Sequence, residues 1–191
     1  YIICSNIIIL WRVNTLEITL LDKNKYKDFV LEFNYTTTHY YHIERNPEEI
    51  FSISLVKKPL GKEVKKSFTG NLYPDWTENP SAFSLTKDGQ VLGYLEVDRE
   101  GWSNRLRVTE ILILEEFRGR AYGSLLINKA KKIAKKEGFR EVILETQSCN
   151  TKAIDFYLKN GFMVNGIDLS CYGNDDVEKK EVRLELVYRK I

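Results

Sequence analysis

Arg118-Gly119-Arg120-Ala121-Tyr122-Gly123-Ser124 brings small residues and two cations together on a short run that leads into a helix-like stretch. Small residues let the backbone approach a ligand closely, and successive N–H groups entering a helix N-terminus present partial positive charge to an anion. The chemistry this suits is grip on a nucleotide-like ligand that carries a pyrophosphate. A P-loop would need G-x-x-x-x-G-K-[ST], which the chain lacks, so no lysine is placed on a terminal phosphate. A dinucleotide fingerprint fails as well, because its second and third glycines do not fall at the required spacing. A coenzyme A cradle remains.

The elements on either side must hold that run in place. Thr109 to Leu114 reads as the strand that enters it, and Ser124 to Glu137 as the helix that leaves it. In that helix Leu126, Ala130, Ile133 and Ala134 recur on one face, while Lys129, Lys131, Lys132, Lys135 and Lys136 crowd the remainder as a solvated face. The near end of that lysine face also suits the coenzyme's 3′-phosphate. Gly138 ends the helix, and a strand follows from Glu141 to Thr146. Then come Asn150-Thr151-Lys152-Ala153-Ile154-Asp155-Phe156-Tyr157 and Asn160-Gly161-Phe162.

Taken together, R-x-x-G/A-x-G followed by N-x-x-A-x-x-F-Y-x-x-x-G-F resembles the acetyl-CoA-dependent N-acetyltransferases of the GNAT superfamily across residues 90 to 172. The combination is specific, although its parts are weak. Leu144-Glu145-Thr146-Gln147, Asn150, Gly166 to Tyr172 and Trp102 to Val108 are similar to the streptothricin acetyltransferase branch. The resemblance implies an α/β (α+β) fold: a twisted mixed sheet with helices on both faces and acetyl-CoA wedged into a V between central strands. Homodimerisation through the last strands is also expected from it. One departure is Ala121, where the family usually has Gly. Alanine is expected to be tolerated there, with tighter packing on the pyrophosphate, unless the position needs a positive φ.

Direct acetyl transfer sets the expected roles. Backbone N–H groups of Arg118, Gly119, Arg120, Ala121, Tyr122, Gly123 and Ser124 hold the pyrophosphate. Leu112, Ile113 and Leu114 pair with the pantetheine arm as an extra strand would, and a backbone N–H near Leu114 meets the thioester oxygen where a bulge splays the strand. Asn150 is expected both to bond the pantetheine arm and to cap the helix that follows it. Tyr157 is the general acid, since a phenol with pKa near 10 keeps its proton at neutral pH and can give it to a departing thiolate. Glu110, alternating with Val108 and Leu112, is the general base, acting directly or through a water, with Glu145 in reserve. Glu96, Asp98, Glu145 and Asp168 are carboxylates that would draw a cationic acceptor, and Trp102 would offer a flat wall. Cys149 as an acyl-enzyme nucleophile has no histidine near it in sequence.

Composition agrees with one enzyme domain over residues 1–191. Forty-three per cent apolar residues and 12% aromatics suffice for a sizeable core. A net charge of +2, from 29 basic and 27 acidic residues, makes no case for nucleic acid or a membrane. Cys4, Cys149 and Cys171, with His39 and His42, show no metal-ligand spacing, and this cysteine usage suits the cytosol. The apolar run Tyr1 to Trp11 has no basic flank, is interrupted by Ser5-Asn6 and is far short of roughly 20 spanning residues, so it reads as a strand.

Elsewhere, Tyr26, Phe29, Val30 and Phe33 recur at i, i+3, i+4 and i+7, which predicts an amphipathic helix starting at Asp22 or Asn24. Residues 35 to 80 mix aromatic and polar residues with proline and glycine punctuation and predict short strands or helices around a cleft. Lys87-Asp88-Gly89-Gln90 predicts a hairpin joining Ala82–Leu85 to Val91–Val97, and Val182 to Tyr188 a final strand. Two other functions remain open on the sequence. One is an acetyltransferase of protein N-termini or lysines, with a peptide groove built by residues 35 to 80. The other is a CoA-binding module without turnover, favoured if Glu110 and Tyr157 point away from the thioester.

Overall fold

The computed structural model describes residues 15–190. The expected strand at Tyr1 to Trp11 lies outside them. Strands β1 (Leu16–Leu20), β4 (Pro80–Lys87), β5 (Gln90–Glu100), β6 (Arg105–Ile113), β7 (Glu141–Gln147), β8 (Met163–Asp168) and β9 (Arg183–Tyr188) form one mixed sheet in the order β1-β4-β5-β6-β7-β9-β8. Helices α2 (Tyr122–Glu137) and α3 (Thr151–Lys159) pack on one face, where Leu126, Ile127, Ala130 and Ile154 join Leu95, Val97, Leu106 and Val108 in the larger core. Each Leu or Ile buried there contributes roughly 1.5–3 kcal/mol. Two short helices complete the set, α1 (Lys23–Tyr26) and α4 (Asp176–Lys179).

The opposite face carries a smaller core of Leu21, Leu31, Leu72, Tyr73, Ala82 and Leu112. It is roofed by α1 and by a two-stranded ribbon of β2 (Val30–Arg45) and β3 (Ile53–Asn71). The expected helix through Phe33 is therefore corrected to a single turn followed by a strand. Asp28 takes φ 60° and breaks the turn. Beyond it Leu31 is buried and Phe33 and Tyr35 half-buried between exposed Glu32 and Asn34, a period-2 pattern that prevails over the coincident helical spacing. Residues 35 to 80 are likewise mainly this long ribbon, because Tyr35, Thr36, Thr37, Tyr40, Tyr41 and Ile43 are strand formers. Pro59 sits beside the register shift between Thr37 and His39, where a missing N–H costs little. The hairpin at Lys87–Gln90 forms as expected, with Asp88 and Gly89 both at positive φ.

Two irregularities shape the centre of the sheet. The parallel pairing of β6 with β7 extends over only Arg105↔Glu141, Leu106↔Val142 and Arg107↔Ile143. Past Arg107 the strands diverge, β6 staying with β5 and β7 with β9, and a V opens between them. The second irregularity lies at its vertex. Glu96 pairs with Glu110 and Val97 with Val108, so Thr109 is an extra residue on β6. Because Glu96 and Val97 are adjacent on β5 and point to opposite faces, Glu110 and Val108 do too. The sequence expectation that Glu110 shares a face with Val108 is corrected by this bulge. Val108 joins the helix-side core, and Glu110 turns to the ribbon side with Leu112.

Candidate active site

A cleft of about 680 Å³ runs through the V. Glu110, Ile111, Glu145, Asn150, Ala153 and Tyr157 line it, together with Phe33 and Phe68 from the ribbon and Trp76. Gly70, paired with Leu31 in the ribbon, backs the carboxylate of Glu110 so closely that a Cβ at position 70 would overlap it. Glu110 is thereby largely removed from water. Burial, followed by the negative charges of Glu96 and Glu145, raises its pKa from 4.5 to about 8. A carboxylate so tuned takes up a proton readily near neutrality.

Tyr157 is 7% exposed, its ring tilted against those of Phe156 and Phe162 at centroid distances of 5.2 and 6.0 Å. No buried side-chain polar atom lacks a partner among the described residues, and the Tyr157 hydroxyl has none there, so it opens onto the cleft. Burial, and after it the charge of Glu110, push its pKa up, so the phenol stays protonated. Asn150 both caps α3, its Oδ1 accepting from the Ala153 N–H at 3.3 Å, and lines the cleft.

The main chain of β6 offers open groups on the V side. Leu114 N–H donates to the Leu92 carbonyl at 2.9 Å, and in an antiparallel ladder alternate residues repeat that orientation. Leu112 and Leu114 therefore spend their main-chain groups on β5, which corrects their expected role on the pantetheine. Ile111 and Ile113 point theirs into the V. The Ile113 carbonyl accepts from Arg118 Nε at 3.0 Å, consistent with that direction.

At the head of α2, Gly119 has φ 78° and Ala121 φ 61°, ψ 8°, so the N–H groups of Tyr122 and Gly123 lead into the helix N-terminus, while Ser124 N–H donates back to the Ala121 carbonyl at 3.1 Å, which corrects its expected place on the pyrophosphate. Gly123 permits close contact of α2 with α3, since a Cβ there would lie 3.0 Å from the Phe156 ring. The Arg118 guanidinium reaches the other way, to the carbonyls of Ile113 and Asn34, and ties β6 to the ribbon. The Arg118 backbone N–H donates to the Glu115 carbonyl at 3.2 Å, so the expected place of Arg118 on the pyrophosphate is corrected: both its main chain and its side chain are spent within the protein.

The sequence profile of the acetyltransferase (GNAT) family matches residues 31–162. This chain is a GNAT acetyltransferase. Streptothricin acetyltransferase A of Bacillus subtilis (strain 168) is 29% identical over 127 residues, 66% of this chain and 69% of that protein. Streptothricin acetyltransferase of Escherichia coli is 31% identical over 98 residues, 51% of this chain and 56% of that protein. In fold, the crystal structure of nourseothricin acetyltransferase superposes with a TM-score of 0.72 at 23% identity, covering 90% of this chain and 96% of that one. A protein assigned as a streptothricin acetyltransferase from Bacillus anthracis str. Ames, solved in complex with acetyl coenzyme A, gives 0.70 at 20% identity, covering 93% and 98%.

Within this GNAT fold the expected acceptor contacts separate into two groups. Glu145 lines the cleft and is ion-paired to Arg183 at 2.6 Å. The others do not line it. Asp98 is 3% exposed and accepts from the N–H groups of Glu78 and Asn79 at 3.1 and 2.7 Å, so its charge holds a loop together. Asp168 stands on the edge strand β8, accepting from Ser170 N–H. Trp102 is 77% exposed at the β5–β6 turn, its ring 5.5 Å from the Arg105 guanidinium. Glu96 is fully buried beside Glu110, its cross-strand partner. The cleft instead draws on Arg107, Tyr172, Arg183 and the ribbon aromatics. Tyr172 and Arg107 lie inside the two stretches that carry the streptothricin likeness, the one available signal for them.

Ala121 departs from the GNAT preference for glycine at a position that does need positive φ. A Cβ in the left-handed region costs roughly 1–2 kcal/mol, partly offset by the lower entropy of an unfolded alanine. Ala121→Gly is expected to leave stability unchanged or raise it by up to about 1 kcal/mol. Denaturant unfolding checks this, and a loss of stability would contradict the strain.

Proposed function

We propose that this GNAT acetyltransferase moves the acetyl group of acetyl-CoA directly onto a primary amine of a small molecule, with a streptothricin-type antibiotic as acceptor. The observation that carries the reading is one cleft through the V, lined by both a carboxylate of raised pKa and a protonated tyrosine. The residues present suit acetyl-CoA. The N–H groups at the head of α2 fit a pyrophosphate, and the open main chain of Ile111 with the N–H of Ile113 fits an extended amide-bearing arm laid along β6.

When bound, acetyl-CoA supplies an activated thioester, and the chain supplies the rest. Glu110 removes the proton of the acceptor ammonium, directly or through a water. Ile111 N–H donates to the thioester oxygen as negative charge develops there. Tyr157 gives its proton to the departing thiolate. On the ribbon side, Glu110 and Glu145 favour a cationic acceptor, and Phe33, Phe68, Trp76 and Tyr172 offer faces to its ammonium and apolar parts. The names of the relatives support streptothricin as that acceptor and, with it, a role in antibiotic resistance.

Thiol release from acetyl-CoA with a panel of amines tests the reading. The panel holds streptothricin, spermidine, lysine and a peptide with a free N-terminus. Release with streptothricin well above the other amines is expected. Turnover with the peptide alone would replace the small-molecule acceptor by a protein one, and acetyl-CoA binding without turnover on any amine would leave a non-catalytic module.

A further inference from the structure

Beside the catalytic carboxylate lies a second one that is closed off from solvent. Glu96 on β5 is the direct cross-strand partner of Glu110 on β6, on the same face of the sheet, and it is wholly buried. Its oxygens are held from two sides. Oε2 accepts from Tyr73 N–H at 2.5 Å, and Oε1 accepts from the Thr109 hydroxyl at 2.8 Å. Thr109 is the bulged residue itself, so the irregularity that turns Glu110 into the cleft also supplies the donor that fixes Glu96.

We propose that Glu96 is a positioning residue that acts through Glu110, a hydrogen-bonded anion fixed across the strand pair whose charge bears on the catalytic carboxylate and directs it into the cleft. This rests on the assignment of Glu110 as the base. The physical argument is the order of ionisation. Two carboxylates on adjacent strands share one low-dielectric patch, and the one with hydrogen-bond donors loses its proton first. Burial raises the pKa of both, but at Glu96 the Tyr73 N–H and the Thr109 hydroxyl oppose that rise, whereas none among the described residues lowers the pKa of Glu110. The second proton then leaves Glu110 against an existing negative charge.

The remaining groups do not duplicate that effect. Glu145 on β7 adds negative charge, but it sits at the open side in an ion pair with Arg183 of β9. Arg107 of β6 is engaged by Glu100. Tyr157 of α3 and Tyr172 are neutral phenols of raised pKa, and the ribbon presents only Phe33, Phe68 and Gly70. Around Glu96 itself, Lys23 and Asp98 act in opposite directions.

The test is the titration of Glu110 in the unliganded protein, followed by the side-chain carboxyl 13C resonance and assigned by its loss in Glu110→Gln. In Glu96→Gln the midpoint is expected to fall by roughly one unit, and the acid limb of kcat/KM to move with it. Thr109→Val withdraws a donor from ionised Glu96, favours its protonation and is expected to move Glu110 in the same direction. It also serves if Glu96→Gln does not fold. A Glu110 midpoint unchanged in a folded variant would overturn the proposal, because a purely structural Glu96 would alter stability alone. The carboxyl titration needs no acceptor. Failure of every amine to turn over would therefore count against the acetyl-transfer reading while leaving this result to stand on its own.

Discussion

Tyr157→Phe is expected to lower kcat by about 10²–10³ while acetyl-CoA binding stays within about twofold. The variant removes one oxygen and keeps the ring that packs with Phe156 and Phe162, so the core around α3 is left in place. The removed hydroxyl is the group that opens onto the cleft. Burial and the nearby Glu110 charge both push its pKa up, so it is held as a proton donor and does not compete with Glu110 for the role of base. The loss should appear in the chemical step. Single-turnover acetyl transfer at saturating acetyl-CoA measures it, with the dissociation constant for acetyl-CoA taken by calorimetry on the same protein. An unchanged single-turnover rate would mean that the thiolate leaves unprotonated or takes its proton from water. A large loss of acetyl-CoA affinity would make Tyr157 a binding residue.

The parts of this site that were legible in the sequence share a local cause. Gly119, Ala121 and Gly123 announce the loop at the head of α2 because backbone conformation and close approach demand small residues there. Asn150 and the Phe156-Tyr157 pair are spaced by one helix, and Asp88-Gly89 sets a turn whose register follows from two residues. What escaped depends on contacts between distant segments. The bulge at Thr109 is visible only through pairing of β6 with β5, so strict alternation put Glu110 on the face of Val108. Leu112 and Leu114 looked open to a ligand until the ladder assigned their amides to β5. Glu96 and Asp98 read as acidic residues bordering a cleft, yet backbone N–H groups from the 73–79 loop bury both. Phe33 fitted a helical spacing and a strand spacing at once. Packing of Leu31 into the smaller core decided between them, and with it placed an aromatic wall in the site.

Glu110→Gln is the variant that joins function to stability, with opposite signs for the two. With a pKa of about 8, Glu110 is mostly protonated at pH 7, so kcat/KM of the wild type should rise with pH, close to tenfold per unit well below 8, and level off above it. The limb belongs to Glu110 if its midpoint is the same for acceptors whose own amines differ in pKa. Glutamine keeps the shape but cannot accept the proton. The limb should vanish and the plateau fall by about 10²–10⁴. Stability moves the other way. The folded-state pKa of Glu110 lies above the ordinary 4.5, so between pH 4.5 and about 8 the unfolded chain sheds a proton that the folded chain retains. The wild type therefore loses stability as pH rises through that window, and above it the cost is complete. Glu110→Gln removes this cost. Its unfolding free energy, read by denaturant unfolding, should match wild type near pH 4 and exceed it near pH 9, by on the order of 2 kcal/mol after allowance for the side open to the cleft. A base kept protonated by burial beside Glu96 is a strained arrangement that the fold retains for its chemistry. A variant that is inactive yet no more stable at high pH would mean that Glu110 ionises freely and owes its role to position alone.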